Sequence, residues 1–111
     1  MNKKLKAKWL RALRSGAYRQ TAGELANTAG TKFCCLGVLA DIQGCTWKPG
    51  DNGKGLVPVN KANRAIVADS ADWLPPTRAG GLSHDQQEKL AGMNDDGKTF
   101  KQIAGYIEVE L

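Results

Sequence analysis

Residues 32–41 read Lys-Phe-Cys-Cys-Leu-Gly-Val-Leu-Ala-Asp, and this short stretch limits what the chain can become. Leu36, Val38, Leu39 and Ile42 are too closely spaced for a helix with one wet face. The pattern predicts a helix over 34–43 that is buried on every side, with Gly44 as its stop. Gly37 inside it costs about 1 kcal/mol relative to Ala. A glycine kept there implies another element in close contact.

The rest of the chain must supply that cover, and 111 residues suffice for one domain around one core. Residues 2–14 predict an amphipathic helix. Leu5, Trp9, Leu10 and Leu13 recur at helical spacing, Asn2 is placed to cap the start, and Ser15-Gly16 stops it. Lys4, Lys8, Arg11 and Arg14 fall on the opposite face. The net charge is +5, and Lys3, Lys4, Lys6, Lys8, Arg11, Arg14 and Arg19 all precede the first acid, Glu24. Such a start suits an acidic partner surface or a phosphate backbone.

The C-terminal third is equally periodic. Ser83-His84-Asp85-Gln86 and Thr99-Phe100-Lys101-Gln102 are capping boxes, each opening a helix. Asn94-Asp95-Asp96-Gly97 between them reads as a turn. Phe100, Ile103, Ala104 and Ile107 share a face of the last helix. Residues 18–21 and 31–33 are short strand candidates that could pair as a hairpin. Trp47 and residues 56–59 predict two more strands around a loop over 49–55, and residues 63–68 a short helix. The expected architecture is a single α+β domain over 1–111, mostly helical, with a small antiparallel sheet. Its core is predicted from Trp9, Leu13, Phe33, Leu36, Leu39, Leu90, Phe100, Ile103 and Ile107.

Chemistry is harder to place. Cys34, Cys35 and Cys45 are odd in number, and adjacent cysteines rarely pair, so free thiols in a reducing compartment are expected. Cys34 or Cys35 near a helix N-terminus, with His84 as base and Asp85 as its orienter, would make a thiol nucleophile. The bland reading is that the cysteines pack and His84 is solvated. Zinc spacing is missing, and Asp95-Asp96 lacks the rest of a calcium loop. Gly53-Lys54-Gly55 is no Walker loop, although its backbone N–H groups could meet an anion. No metal or other cofactor is expected. No apolar run approaches the roughly 20 residues of a membrane span, and no apolar run follows the basic start as in a secretory signal. The cytoplasm, here that of a host cell, is the expected location.

Three blocks, in order, carry a resemblance. They are Trp9-x₂-Ala12-Leu13-Arg14-Ser15-Gly16-x-Tyr18-x-Gln20, then Phe33-Cys34-Cys35-Leu36-Gly37-Val38, then Met93-Asn94-Asp95-x-Gly97-x₂-Phe100-x₂-Ile103-Ala104. Together they resemble a family of small phage and prophage proteins, with Met93 where Leu is common and Thr99 where Ser is common. The variable middle, 46–81, lies outside the resemblance. The resemblance implies a protein made by a mobile element inside a bacterium, and it supplies no catalytic residues to carry over. It leads to the expectation of an accessory protein that acts by binding, as an inhibitor of a host defence complex such as a CRISPR effector. The expected contact is Lys4, Lys8, Arg11 and Arg14 against a host protein or ribonucleoprotein with an acidic surface. Direct nucleic-acid binding, sequestration of an anionic ligand such as a nucleotide, and a thiol enzyme are the alternatives.

Overall fold

The computed structural model describes residues 1–50, 55–60, 62, 64 and 74–111. The chain runs α1 (Lys3–Arg14), β1 (Arg19–Gln20), β2 (Lys32–Phe33), α2 (Cys35–Asp41), β3 (Thr46–Pro49), β4 (Leu56–Val59), α3 (Pro76–Ala79), α4 (His84–Asp95) and α5 (Phe100–Glu110). It is an α+β fold built around α2, in which every residue from 35 to 40 is buried. α1, α3 and α4 pack on it, and α5 closes over α1 and α4. Leu36, Leu39, Leu90, Ile103 and Ile107 are sealed from solvent, each contributing about 1.5–3 kcal/mol of burial.

The helix ends follow their local chemistry. Asn2 Oδ1 accepts from Leu5 N at 2.9 Å. Both capping boxes form, Ser83 with Gln86 and Thr99 with Gln102. α2 begins one residue later than its apolar run suggests, because Cys34 is its N-cap and the thiol sulfur accepts from Gly37 N at 3.4 Å.

Two expectations need correction. Residues 94–97 are not a free turn: α4 continues through Asp95, and Asn94 is buried. The helix ends in a Schellman motif, with Lys98 N on Met93 O at 3.0 Å, Gly97 N on Asn94 O at 3.2 Å, and Gly97 at φ 92. Nor do the first two strands form a hairpin. β1 and β2 pair in parallel, Arg19 with Lys32 and Gln20 with Phe33. The intervening loop sends Ala26 back along the far side of β2, where it bridges antiparallel to Phe33 and to Leu56. Ala26 thus joins β1 and β2 to the antiparallel pair β3–β4, which matches the small antiparallel sheet expected. The predicted helix over 63–68, Arg64 apart, and residues 51–54 of the loop over 49–55, lie outside the described residues.

Phe33 is only half-buried. Its ring meets Tyr18 and Trp47 edge-on, with centroids 5.3 and 5.6 Å away. Asp41 locks this cluster, accepting from Tyr18 Oη at 2.6 Å and Trp47 Nε1 at 2.9 Å. A second polar lock holds the chain where it re-enters the core. Gln87, itself buried, accepts from Leu74 N at 2.8 Å and donates to Leu74 O at 3.0 Å.

Gly37 has the close neighbour its sequence position implies, and that neighbour is backbone. A Cβ there would collide with the carbonyl oxygen of Leu25 and lie 2.9 Å from its carbonyl carbon. Helix propensity alone makes Gly37→Ala stabilising by about 1 kcal/mol. The steric conflict reverses that sign, and urea unfolding of Gly37→Ala should show a loss of about 3 kcal/mol. Asn94→Ala should cost a similar amount, about 3 kcal/mol. It strips partners from Cys35 N, Thr21 O and the Gln20 amide together.

Candidate functional site

The basic face of α1 is displayed by what lies under it. Trp9 and Leu13 are buried, and the indole Nε1 of Trp9 donates to Cys35 O at 2.9 Å, so the helix cannot roll on its support. Lys4, Lys8, Arg11 and Arg14 all stand exposed on the other side.

The four are not equivalent. Lys8 Nζ donates to Ile42 O at 2.8 Å, placing a cation on the carbonyl end of α2. Arg14 pairs with Glu108 of α5 at 2.7 Å, and Lys6 Nζ donates to the Glu108 carbonyl at 3.3 Å. The Arg14 guanidinium, with Lys6 nearby, holds the Glu108 carboxyl below its ordinary range. Lys8 and Arg14 therefore pin α1 to its neighbours. Lys4 and Arg11 have no hydrogen-bond or ion-pair partner among the described residues and face solvent.

The thiols sit elsewhere. Cys34 and Cys35 are buried. Burial pushes the Cys34 thiol from its ordinary 9.0 up to about 11, outweighing the N–H groups of Gly37 and Leu36 that favour the thiolate. Burial also raises Cys35 well above its ordinary value, and Cys45 rises to about 11. Cys35 Sγ reaches Leu90 O at 3.6 Å. His84 lies at the exposed N-terminal end of α4, while Asp95 at the other end borders Cys34. Eleven residues of helix, about 16 Å of rise, separate the two. The proposed thiol, base and orienter are thus not brought together. His84, Asp85 and Glu88 instead form an exposed group whose ligand atoms lie within 4.8 Å of one another. A search confined to paired cysteine and histidine spacing overlooks that i, i+1, i+4 arrangement.

Sequence reasoning also missed two features beside the cysteines. The first is Asn94, whose Nδ2 donates to Thr21 O at 2.6 Å while Oδ1 accepts from Gln20 Nε2 at 2.9 Å and Cys35 N at 3.2 Å. The second is a half-open cavity of about 140 Å³ between the 23–25 loop, the start of α2 and the end of α4. Gly23, Glu24, Leu25, Cys34, Leu36, Ala91 and Asp95 line it. Their separation along the chain hides it from any local motif.

A family model described as "Domain of unknown function (DUF8296)" matches residues 1–111. No curated protein and no solved structure matches the chain. No helix among the described residues is long and apolar enough to cross a membrane.

The raised thiols fix the sign of a pH dependence. Between pH 9 and 11 the unfolded chain has lost a Cys34 proton that the folded chain keeps. Stability is full below about pH 8 and falls as pH rises, by up to about 1.4 kcal/mol per unit for each such thiol. Thermal melts at pH 7.5 and 10 should show the fall, and Cys34→Ala should flatten it while lowering stability at both. A catalytic thiolate with a depressed pKa would give the opposite slope.

Proposed function

We propose that this chain, which belongs to the family described as a domain of unknown function (DUF8296), is a phage-type accessory protein that acts by binding. The basic face of α1 docks on an acidic surface of a host protein or ribonucleoprotein, and the consequence is inhibition of a host defence complex. The resemblance to small phage and prophage proteins supports the mobile-element context.

One observation carries the binding reading: the first turn of α1 holds cations where the helix's own stability prefers anions. All its charged residues are basic, and its first turn holds no acid. Lys3 and Lys4 occupy the positive end of the helix dipole, where a cation is unfavourable by about 0.3–1 kcal/mol. Lys4 gains no hydrogen-bond or ion-pair partner among the described residues in exchange, and Arg11, although the last turn suits its charge, has none there either. Cations placed where folding prefers anions suit an anionic partner outside the chain.

The same face would also meet a phosphate backbone, so nucleic acid is the second reading, in keeping with the +5 charge. Sequestration of a nucleotide finds less support, because the cavity carries Glu24 and Asp95. A thiol enzyme finds less still, since Cys34 stays protonated and His84 lies at the far end of α4.

The test is Lys4→Glu with Arg11→Glu, which spares the Lys8 and Arg14 contacts. The melting temperature should stay within about 2 °C, because exposed charges contribute little and the gain from Glu at position 4 offsets the loss from Glu at position 11, in the last turn. Capture of the partner from host lysate should fall at least tenfold and should survive nuclease treatment. Capture abolished by nuclease, with a steep salt dependence, assigns the face to nucleic acid. Undiminished capture by the double variant removes α1 as the contact.

A further inference from the structure

We propose that Glu108 is the selectivity residue of the basic face: it occupies Arg14 and sets a carboxylate beside α1, so that the face accepts separate carboxylates on a protein and turns away a continuous phosphate backbone. This inference rests on the α1 reading and deepens it, by deciding between its two partner classes.

Position carries the first part. At about 100° per residue, Arg11 stands about 20° from Lys4 around α1, whereas Arg14 stands about 80° away. Arg14 therefore faces the flank on which α5 packs, and there Glu108 Oε2 takes its guanidinium at 2.7 Å. Lys6 Nζ reaches the carbonyl of the same residue at 3.3 Å. One acidic residue thus engages two cations of α1.

Stability does not account for the arrangement. The Arg14 and Glu108 side chains are 41% and 57% exposed, so their pair contributes little to folding. Glu108 and Glu110 also stand in the last turn of α5, which holds no basic residue. That is the negative end of the helix dipole, where a carboxylate is unfavourable. The Arg14 guanidinium holds the Glu108 carboxyl below its ordinary range, so it stays charged at neutral pH.

The consequence depends on how a partner spaces its charge. Duplex DNA carries one negative charge about every 1.7 Å of its axis. α1 has 12 residues, about 18 Å of helix, so a duplex laid along it brings phosphates past Glu108 as well as past Lys4 and Arg11. It meets a like charge there and finds Arg14 already occupied. A protein can set two carboxylates about 10.5 Å apart, the rise from Lys4 to Arg11, and place a neutral or basic residue opposite Glu108. Repulsion of the wrong partner is as much a part of specificity as attraction of the right one.

The experiment is fluorescence anisotropy of a short labelled DNA duplex titrated with the whole chain, at salt from about 50 to 200 mM. Glu108→Ala should tighten binding at least about threefold. It should also steepen the slope of log K against log salt by about 0.9, one further phosphate contact, because Arg14 is freed. Glu110 has no ion-pair partner among the described residues. Glu110→Ala therefore removes the same charge from the same turn without freeing a cation, and should leave the slope unchanged. In an Arg14→Gln background, Glu108→Ala should no longer change the slope. Melting temperatures of these variants should stay within about 2 °C of the parent chain. Equal slopes for Glu108→Ala and Glu110→Ala, a steeper slope that persists with Arg14→Gln, a parent chain that binds the duplex as tightly as Glu108→Ala, or no duplex binding by Glu108→Ala at about 50 mM salt would each overturn the proposal. Capture from host lysate, which tests α1 as the contact, plays no part here, so the two readings fail separately.

Discussion

Three elements meet at Cys35, and its polar groups hold them in register. Its N–H goes to Asn94 at the end of α4, its carbonyl receives the Trp9 indole from α1, and its thiol reaches Leu90 O. A residue with no exposed surface cannot leave such groups unpaired, since each orphan costs about 1–3 kcal/mol. α1 and α4 are therefore committed to one rotation and one height against α2. The cationic face and the acidic cavity are both consequences. Rolling α1 would lose the indole bond, and sliding α4 would pull Asn94 from the loop that carries Glu24.

The charges divide the molecule into two surfaces of opposite character. α1 gathers cations and uses two of them, Lys8 and Arg14, to fasten itself to α2 and α5. The 23–25 loop and the end of α4 gather carboxylates around an apolar hollow. Internal neutralisation would have been simple in a chain with 11 acids and 16 bases. Yet Arg14–Glu108 is the side-chain ion pair found among the described residues. Among the described residues, the two regions of opposite sign do not neutralise each other.

Local chemistry explains which parts of this could be read from residues alone. α1, both capping boxes and the buried run from Cys35 to Ala40 are legible because periodicity and caps act within four residues. Asn94 was not, since Asn-Asp-Asp-Gly satisfies the rules for a turn and only the distant Thr21 and Cys35 keep it helical. β1 and β2 are two residues each, too short for a pattern to reveal parallel pairing. Dipole reasoning predicts an acidic Cys34 thiol, but desolvation is the larger effect, and burial depth depends on the finished fold. The face of α1 was legible as a face. Its division into fastening and free cations was not, because the partners of Lys8 and Arg14 lie 34 and 94 positions away.

Gln87 bonds Leu74 through both of its backbone groups, as a neighbouring strand would, and so acts as a fixed mooring. β4 ends at Val59, buried in the same body. Val59 and Leu74 are both sealed from solvent, so the points at which the chain leaves and re-enters this body are set from within it. A side-chain amide thus does at Leu74 what a backbone ladder does elsewhere, giving an irregular stretch of chain the fixed height of a strand without a strand beside it.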